Sequence, residues 1–151
     1  MPVVDACFGF STAIQESISF IDAANIECEA AEYCIGMVRI MGRNSGVIAC
    51  NAALASRDVN VVVIPEIHFQ LFGVHGLYEN IISRLKQKNH MVLVVAEGAY
   101  KGLIPACREK VDELNNSKYH LPGDAHEIID LASFIKADIG SYAATNHKIK
   151  V

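Results

Sequence analysis

Apolar positions along this chain switch repeatedly between a helical period and short unbroken runs. Ile14, Ile18 and Ile21 share one face, with Glu16, Asp22, Glu27 and Glu29 off it. This spacing predicts an amphipathic helix, entered from a loop at residues 1–10 and reaching about Tyr33. Thr12 and Gln15 match a capping box at its start. Ile35 to Ile40 reads as a short buried strand, followed by a turn at Met41-Gly42-Arg43-Asn44-Ser45-Gly46. Asn44 or Ser45 can cap the next helix, which runs to about Ser56 and is small and apolar nearly all round, as suits tight packing on a sheet.

Val59 to Ile64 is a β-branched run that reads as a central parallel strand buried on both faces, ended by Pro65-Glu66. Ile67 to Gly76 is loop-like, and Leu77, Ile81, Ile82 and Leu85 mark a helix that Asn89 ends. Met91 to Ala96 is a second buried strand, with Glu97-Gly98 at its end, and a helix from about Pro105 to Leu114 follows. Asn115 to Gly123 reads as a loop, and Asp124 with Glu127 is a second capping-box match. Ile128, Leu131, Ile135, Ile139 and Tyr142 line a last helix, before a strand-like alternation at Lys148 to Val151.

This alternation predicts an α/β chain: three layers, a mainly parallel sheet with helices on both faces, in one domain over residues 1–151. In such sheets the ligand crevice lies outside the carboxyl ends of the strands. Three of those ends carry polar groups here: Met41-Gly42-Arg43, Pro65-Glu66 and Glu97-Gly98. A strand-turn-helix joint offers backbone N–H groups and a positive helix end to an anion, and Arg43 adds a planar fork of donors. One cation with two carboxylates suits a polyhydroxy, phosphorylated ligand, with Arg43 on phosphate and Glu97 accepting from hydroxyls. The bland alternatives are a permissive Gly42 with a solvated Arg43, a solvated Glu66, and a Glu97 that caps a neighbouring helix.

Composition narrows the field. A net charge of −4 without a basic block argues against nucleic-acid or membrane-surface binding by bulk charge. No apolar run approaches the ~20 residues needed to span a bilayer. The start lacks a charged region followed by an apolar one, so a secretory leader is not expected there. Five cysteines without a C-x-x-C pair suit reduced, mostly buried thiols in the cytosol. The histidines show no metal-ligand spacing, so no metal site is expected from this chain's Cys and His; His68, His75 and His90 read as loop or surface residues. Neither G-x-S-x-G nor a P-loop is met around Ser45.

Phe8-Gly9-Phe10-Ser11-Thr12-Ala13, Met41-Gly42-Arg43-Asn44-Ser45-Gly46, Ala53-Leu54-Ala55-Ser56, Val63-Ile64-Pro65-Glu66 and Val95-Ala96-Glu97-Gly98-Ala99 occur in an order that resembles the 6-phosphofructokinases, most closely the plant and protist branch using ATP or pyrophosphate. The likeness is close over about the first hundred residues and looser beyond. It implies a phosphofructokinase-like fold and contacts to fructose 6-phosphate from Met41, Gly42 and Arg43. It implies that Glu97 binds sugar hydroxyls and that Arg43 also stabilises the transferred phosphoryl group. It further implies a cytoplasmic, homo-oligomeric glycolytic enzyme that uses Mg2+ with its phosphoryl donor.

The family's Thr-Ile-Asp-Asn-Asp motif, which carries its catalytic aspartate, is not among these 151 residues, nor is a glycine-rich donor-binding half. The resemblance therefore implies a partial domain, the sugar-phosphate half of a 6-phosphofructokinase, inactive alone, with donor and magnesium ligands outside this chain. Two other readings stay open. One is a non-catalytic sugar-phosphate-binding or interaction module that co-assembles with a full-length enzyme; the other is an unrelated α/β domain.

Overall fold

The computed structural model describes residues 9–115 and 129–147. Its elements are helix α1 (Phe10–Glu29), strand β1 (Cys34–Ile40), helix α2 (Val47–Ser56), strand β2 (Val61–Val63), helix α3 (Leu77–Lys88), strand β3 (His90–Ala96), a 3-10 turn (Ala99–Gly102), helix α4 (Pro105–Asn115) and helix α5 (Leu131–His147). The Asp124–Glu127 capping box, Ile128 and the Lys148–Val151 alternation lie outside the described residues, as does most of the Asn115–Gly123 loop.

The sheet is parallel, in the order β1-β3-β2. Its middle strand is therefore β3, the most continuously apolar run in the chain. Side chains of a strand point alternately to the two faces, and β3 feeds two cores accordingly. Val92, Val94 and Ala96 pack with Ile21 of α1 and with Ala49 and Ala52 of α2. Met91, Leu93 and Val95 pack with Ile81 and Leu85 of α3, Val111 of α4 and Ile135 of α5. Helices thus cover both faces, as the element order predicts.

Several sequence expectations change. β2 is shorter than the Val59–Ile64 run and lies at the outer side of β3 among the described strands, so Val61 and Val62 are only half-buried. A β-branched run specifies extended backbone but not a central position. The Thr12–Gln15 box is not used. α1 starts three residues earlier, with Gly9 as N-cap at φ 81° and no side-chain cap. The other end of α1 stops at Glu29 rather than near Tyr33, whose own φ is +53° in the turn into β1. α3 closes where expected, on Asn89 in the left-handed conformation, with its N–H on the Leu85 carbonyl. α5 is held to α3 by Tyr142 Oη, which donates to Glu79 Oε1 at 2.6 Å.

The strand ends, not the helix faces, decide where chemistry can sit. Ile40 pairs with Ala96, and Val63 with Val95. All three strands therefore finish almost level, and the segments after them emerge side by side.

Candidate functional site

Just past the sheet, the backbones of the first and third strand ends stay locked together. Glu97 N–H donates to the Ile40 carbonyl at 2.8 Å, and Gly98 N–H donates to the Gly42 carbonyl at 2.9 Å. This close approach depends on Gly98. A Cβ there would lie 2.0 Å from the Arg43 carbonyl oxygen and 2.9 Å from its Cα. Gly42 has φ +142°, and a Cβ on it would fall 2.3 Å from the Ser45 carbonyl oxygen. Absence of a side chain at these two positions lets the turn after β1 fold back against the start of the segment after β3.

The turn delivers Arg43 to Glu97. Arg43 Nε donates to Glu97 Oε1 at 3.0 Å, with the two side chains 40% and 23% exposed. Cation and carboxylate, 54 positions apart in sequence, therefore meet just past the carboxyl ends of β1 and β3. The reading of Arg43 as a merely solvated charge, and of Glu97 as a cap on a neighbouring helix, does not describe this pair.

A second pair stands beside it. Lys101 Nζ, on the 3-10 turn, donates to Asn44 Oδ1 at 2.6 Å. Lys101 is not legible as a site residue from the pattern of the chain. Its only signal is a lysine three residues beyond Glu97-Gly98, which becomes meaningful once the 3-10 turn is known to carry it back toward Asn44.

The third strand end behaves differently from expectation. Glu66 is exposed, as a solvated residue would be, but both its carboxylate oxygens accept the Gly46 N–H at the start of α2, at 2.8 and 3.0 Å. Neither Asn44 nor Ser45 is the N-cap. Gly46 holds that position, and the carboxylate that serves the helix end comes from the neighbouring strand. The positive end of α2 is thus already answered by a protein anion. The Gly46 bond holds the Glu66 carboxyl below its usual value of 4.5. A group whose folded pKa is depressed contributes stability above its unfolded pKa, and that stability is lost as pH falls through the folded value. Glu66→Gln is therefore expected to flatten the loss of stability on acidification below about pH 4.5. Denaturant midpoints measured from pH 3 to pH 7 check this.

Met41 parts company with its neighbours. Its side chain is 61% exposed and lines a groove of about 670 Å³ along the outer edge of β1 and α1, a groove that touches neither Arg43 nor Glu97. Of the four residues expected together, Gly42, Arg43 and Glu97 meet, while Met41 lines the groove beside α1. His68 and His75 are exposed, and His90 begins β3 at the opposite edge of the sheet. Among the described residues, no group of three or more His, Cys, Asp or Glu is placed to hold a metal ion. No helix among them is long and apolar enough to cross a membrane.

The phosphofructokinase family model matches residues 1–144 of this chain. The chain belongs to the phosphofructokinase family. It is 50% identical over 117 residues to ATP-dependent 6-phosphofructokinase 1 of Arabidopsis thaliana, covering 78% of this chain and 25% of that protein. It is 34% identical over 145 residues to the ATP-dependent 6-phosphofructokinase of Borreliella burgdorferi, covering 92% of this chain and 30% of that protein. The chain thus spans between a quarter and a third of the length of these two curated relatives. Among solved structures, Pichia pastoris phosphofructokinase in the T-state superposes with a TM-score of 0.53 over 73% of this chain and 12% of that one, at 19% identity. This last likeness speaks for the phosphofructokinase fold.

Proposed function

We propose that the Arg43–Glu97 corner binds fructose 6-phosphate, and that this phosphofructokinase-family chain provides the sugar-phosphate half of a glycolytic 6-phosphofructokinase. The single observation that carries the reading is the ion pair itself, formed across the aligned ends of β1 and β3. A guanidinium suits the dianionic phosphate, and the lone pairs of a carboxylate suit sugar hydroxyl donors. Gly42 and Gly98 keep the corner open to a ligand by holding backbone, not side chains, behind it. Met41 reaches the sugar only through its main chain.

In the reaction, the sugar's 1-hydroxyl oxygen attacks the terminal phosphorus of the donor as the bond from that phosphorus to the bridging oxygen breaks; the shortened donor leaves, the hydroxyl proton is released, and fructose 1,6-bisphosphate is formed. Arg43 would hold the acceptor in line and offset charge on the transferred group. We read the donor as ATP, in keeping with the names of the relatives. Phosphoryl transfer from ATP uses Mg2+, but the described residues offer it no ligand cluster. Glu97 and Glu66 are already engaged by Arg43 and Gly46. The 151-residue chain by itself is expected to show no turnover, since it spans between a quarter and a third of the length of its relatives. The reading includes a cytosolic, homo-oligomeric parent enzyme.

Calorimetric titration of this chain with fructose 6-phosphate tests the site. Glu97→Gln is expected to abolish the preference for fructose 6-phosphate over inorganic phosphate while leaving phosphate binding intact. Equal loss of both ligands would contradict the hydroxyl role. A coupled assay with ATP, and separately with pyrophosphate, tests the inactivity, and clear turnover would overturn it. The share of its relatives that the chain covers also keeps a second reading in view, a non-catalytic module that co-assembles with a full-length enzyme. Comigration with that enzyme, without any gain in its rate, would support this second reading.

A further inference from the structure

Cys28 and Cys34 lie outside the corner, and nothing in the proposed reaction uses them. Their Sγ atoms are 3.5 Å apart, in van der Waals contact. Cys28 is the last inward residue of α1, 2% exposed, and its sulfur presses on the backbone of β1: a Cβ on Gly36 would be 2.8 Å from it. Cys34 is the first residue of β1, anchored by its N–H to the Asn89 carbonyl at 3.0 Å. Unlike its partner, Cys34 reaches the surface. It lines an open cleft of about 490 Å³ together with Glu32, Tyr33, Lys136 and Gly140. Burial and the neighbouring Cys34 push the Cys28 thiol up to about 12, so Cys28 keeps its proton and Cys34 is the member that an oxidant in solution meets first.

We propose that Cys28 and Cys34 form a reversible intramolecular disulfide when the protein meets a peroxide, with Cys34 as the thiol that the peroxide oxidises and Cys28 as the resolving one. Cys34 Sγ attacks one oxygen of hydrogen peroxide, breaking the O–O bond; this gives a sulfenic acid and one water. Cys28 Sγ then displaces the sulfenic oxygen, which leaves as a second water with the Cys28 proton. Two thiols are oxidised by two electrons, and one peroxide is reduced to two waters. A small dithiol such as dithiothreitol reverses the step by thiol–disulfide exchange. Contact already at 3.5 Å means that side-chain rotation, rather than rearrangement of α1 or β1, brings the sulfurs to bonding distance. The other described cysteines, Cys50 and Cys107, have no sulfur partner among the described residues. The bond would tie the end of α1 to the base of the strand whose far end carries Gly42 and Arg43.

The proposal is independent of the sugar-phosphate reading and is tested without it. The reduced 151-residue chain is treated with graded hydrogen peroxide, alkylated with iodoacetamide and mapped by mass spectrometry. Expected is a single cross-linked species joining the Cys28 and Cys34 peptides, lighter by two hydrogens and restored by dithiothreitol, at peroxide levels that leave Cys50 and Cys107 alkylatable. In Cys28→Ser, Cys34 should instead be trapped by dimedone as the sulfenic acid. Two results would overturn the proposal: Cys34 oxidising in the wild-type chain while Cys28 remains alkylatable, or Cys50 and Cys107 reacting before the pair. Both are read on wild-type protein, so they stand even if the variant does not fold.

Discussion

Arg43→Ala is expected to weaken fructose 6-phosphate binding by about a hundredfold. A hydrogen bond to a charged group contributes about 1.5–3 kcal/mol, and a guanidinium can meet phosphate through two of them, so a loss near 3 kcal/mol corresponds to about a factor of 100. The variant does more than remove a cation. It leaves Glu97 without the Arg43 Nε bond that now engages it, so a bare carboxylate faces the incoming dianion. Arg43→Ala/Glu97→Ala should consequently bind inorganic phosphate better than Arg43→Ala alone. Calorimetric titration of the two variants with phosphate and with fructose 6-phosphate reads the difference. An Arg43→Ala protein that binds the sugar phosphate as well as the wild type would remove Arg43 from the site.

Gly98→Ala is expected to be the most destabilising small substitution near the corner. The added Cβ would sit 2.0 Å from the Arg43 carbonyl oxygen and 2.5 Å from its carbonyl carbon. The obstacle is backbone, so no rotamer change relieves it. Either the turn after β1 or the segment after β3 must move, breaking the Gly98–Gly42 hydrogen bond. Overpacking typically costs 1–3 kcal/mol, and a backbone clash places this change at about 3 kcal/mol. Gly73→Ala is the control. Gly73 has φ +95° but open space around it, so it should lose only about 1 kcal/mol, the ordinary cost of a left-handed alanine. Urea midpoints compare the two. Gly98→Ala should also lose fructose 6-phosphate affinity, because the displaced turn carries Arg43, whereas Gly73→Ala should not.

The sequence made the three strand ends legible, because a parallel sheet collects the segments that follow its strands on one edge. Arg43 and Glu97 could be named on that ground before any coordinates. The same logic overreached at β2. A β-branched run shows that a segment is extended, while its place in the strand order depends on which neighbours pair with it. Local capping signals failed for a related reason. Thr12 and Gln15 have the right spacing, and Asn44 and Ser45 the right chemistry. Yet the N-cap of α1 is Gly9, and α2 is served by Glu66, which lies 20 positions beyond Gly46 in sequence. Glu66 and Lys101 took their partners through tertiary contact, which no short window of sequence displays. In the sequence Gly98 only stands at the end of a strand; that it is a contact point for the Arg43 backbone emerges in three dimensions.

The most direct test follows the backbone amide resonances of Gly42, Arg43, Glu97 and Gly98 while fructose 6-phosphate is added to the isotopically labelled chain, with fructose as the reference ligand. The sugar phosphate is predicted to shift these four signals together and saturably, and fructose at equal concentration to leave them in place. Saturable shifts confined to the α1–β1 groove around Phe20 and Met41, with the four corner amides unmoved, would contradict the account.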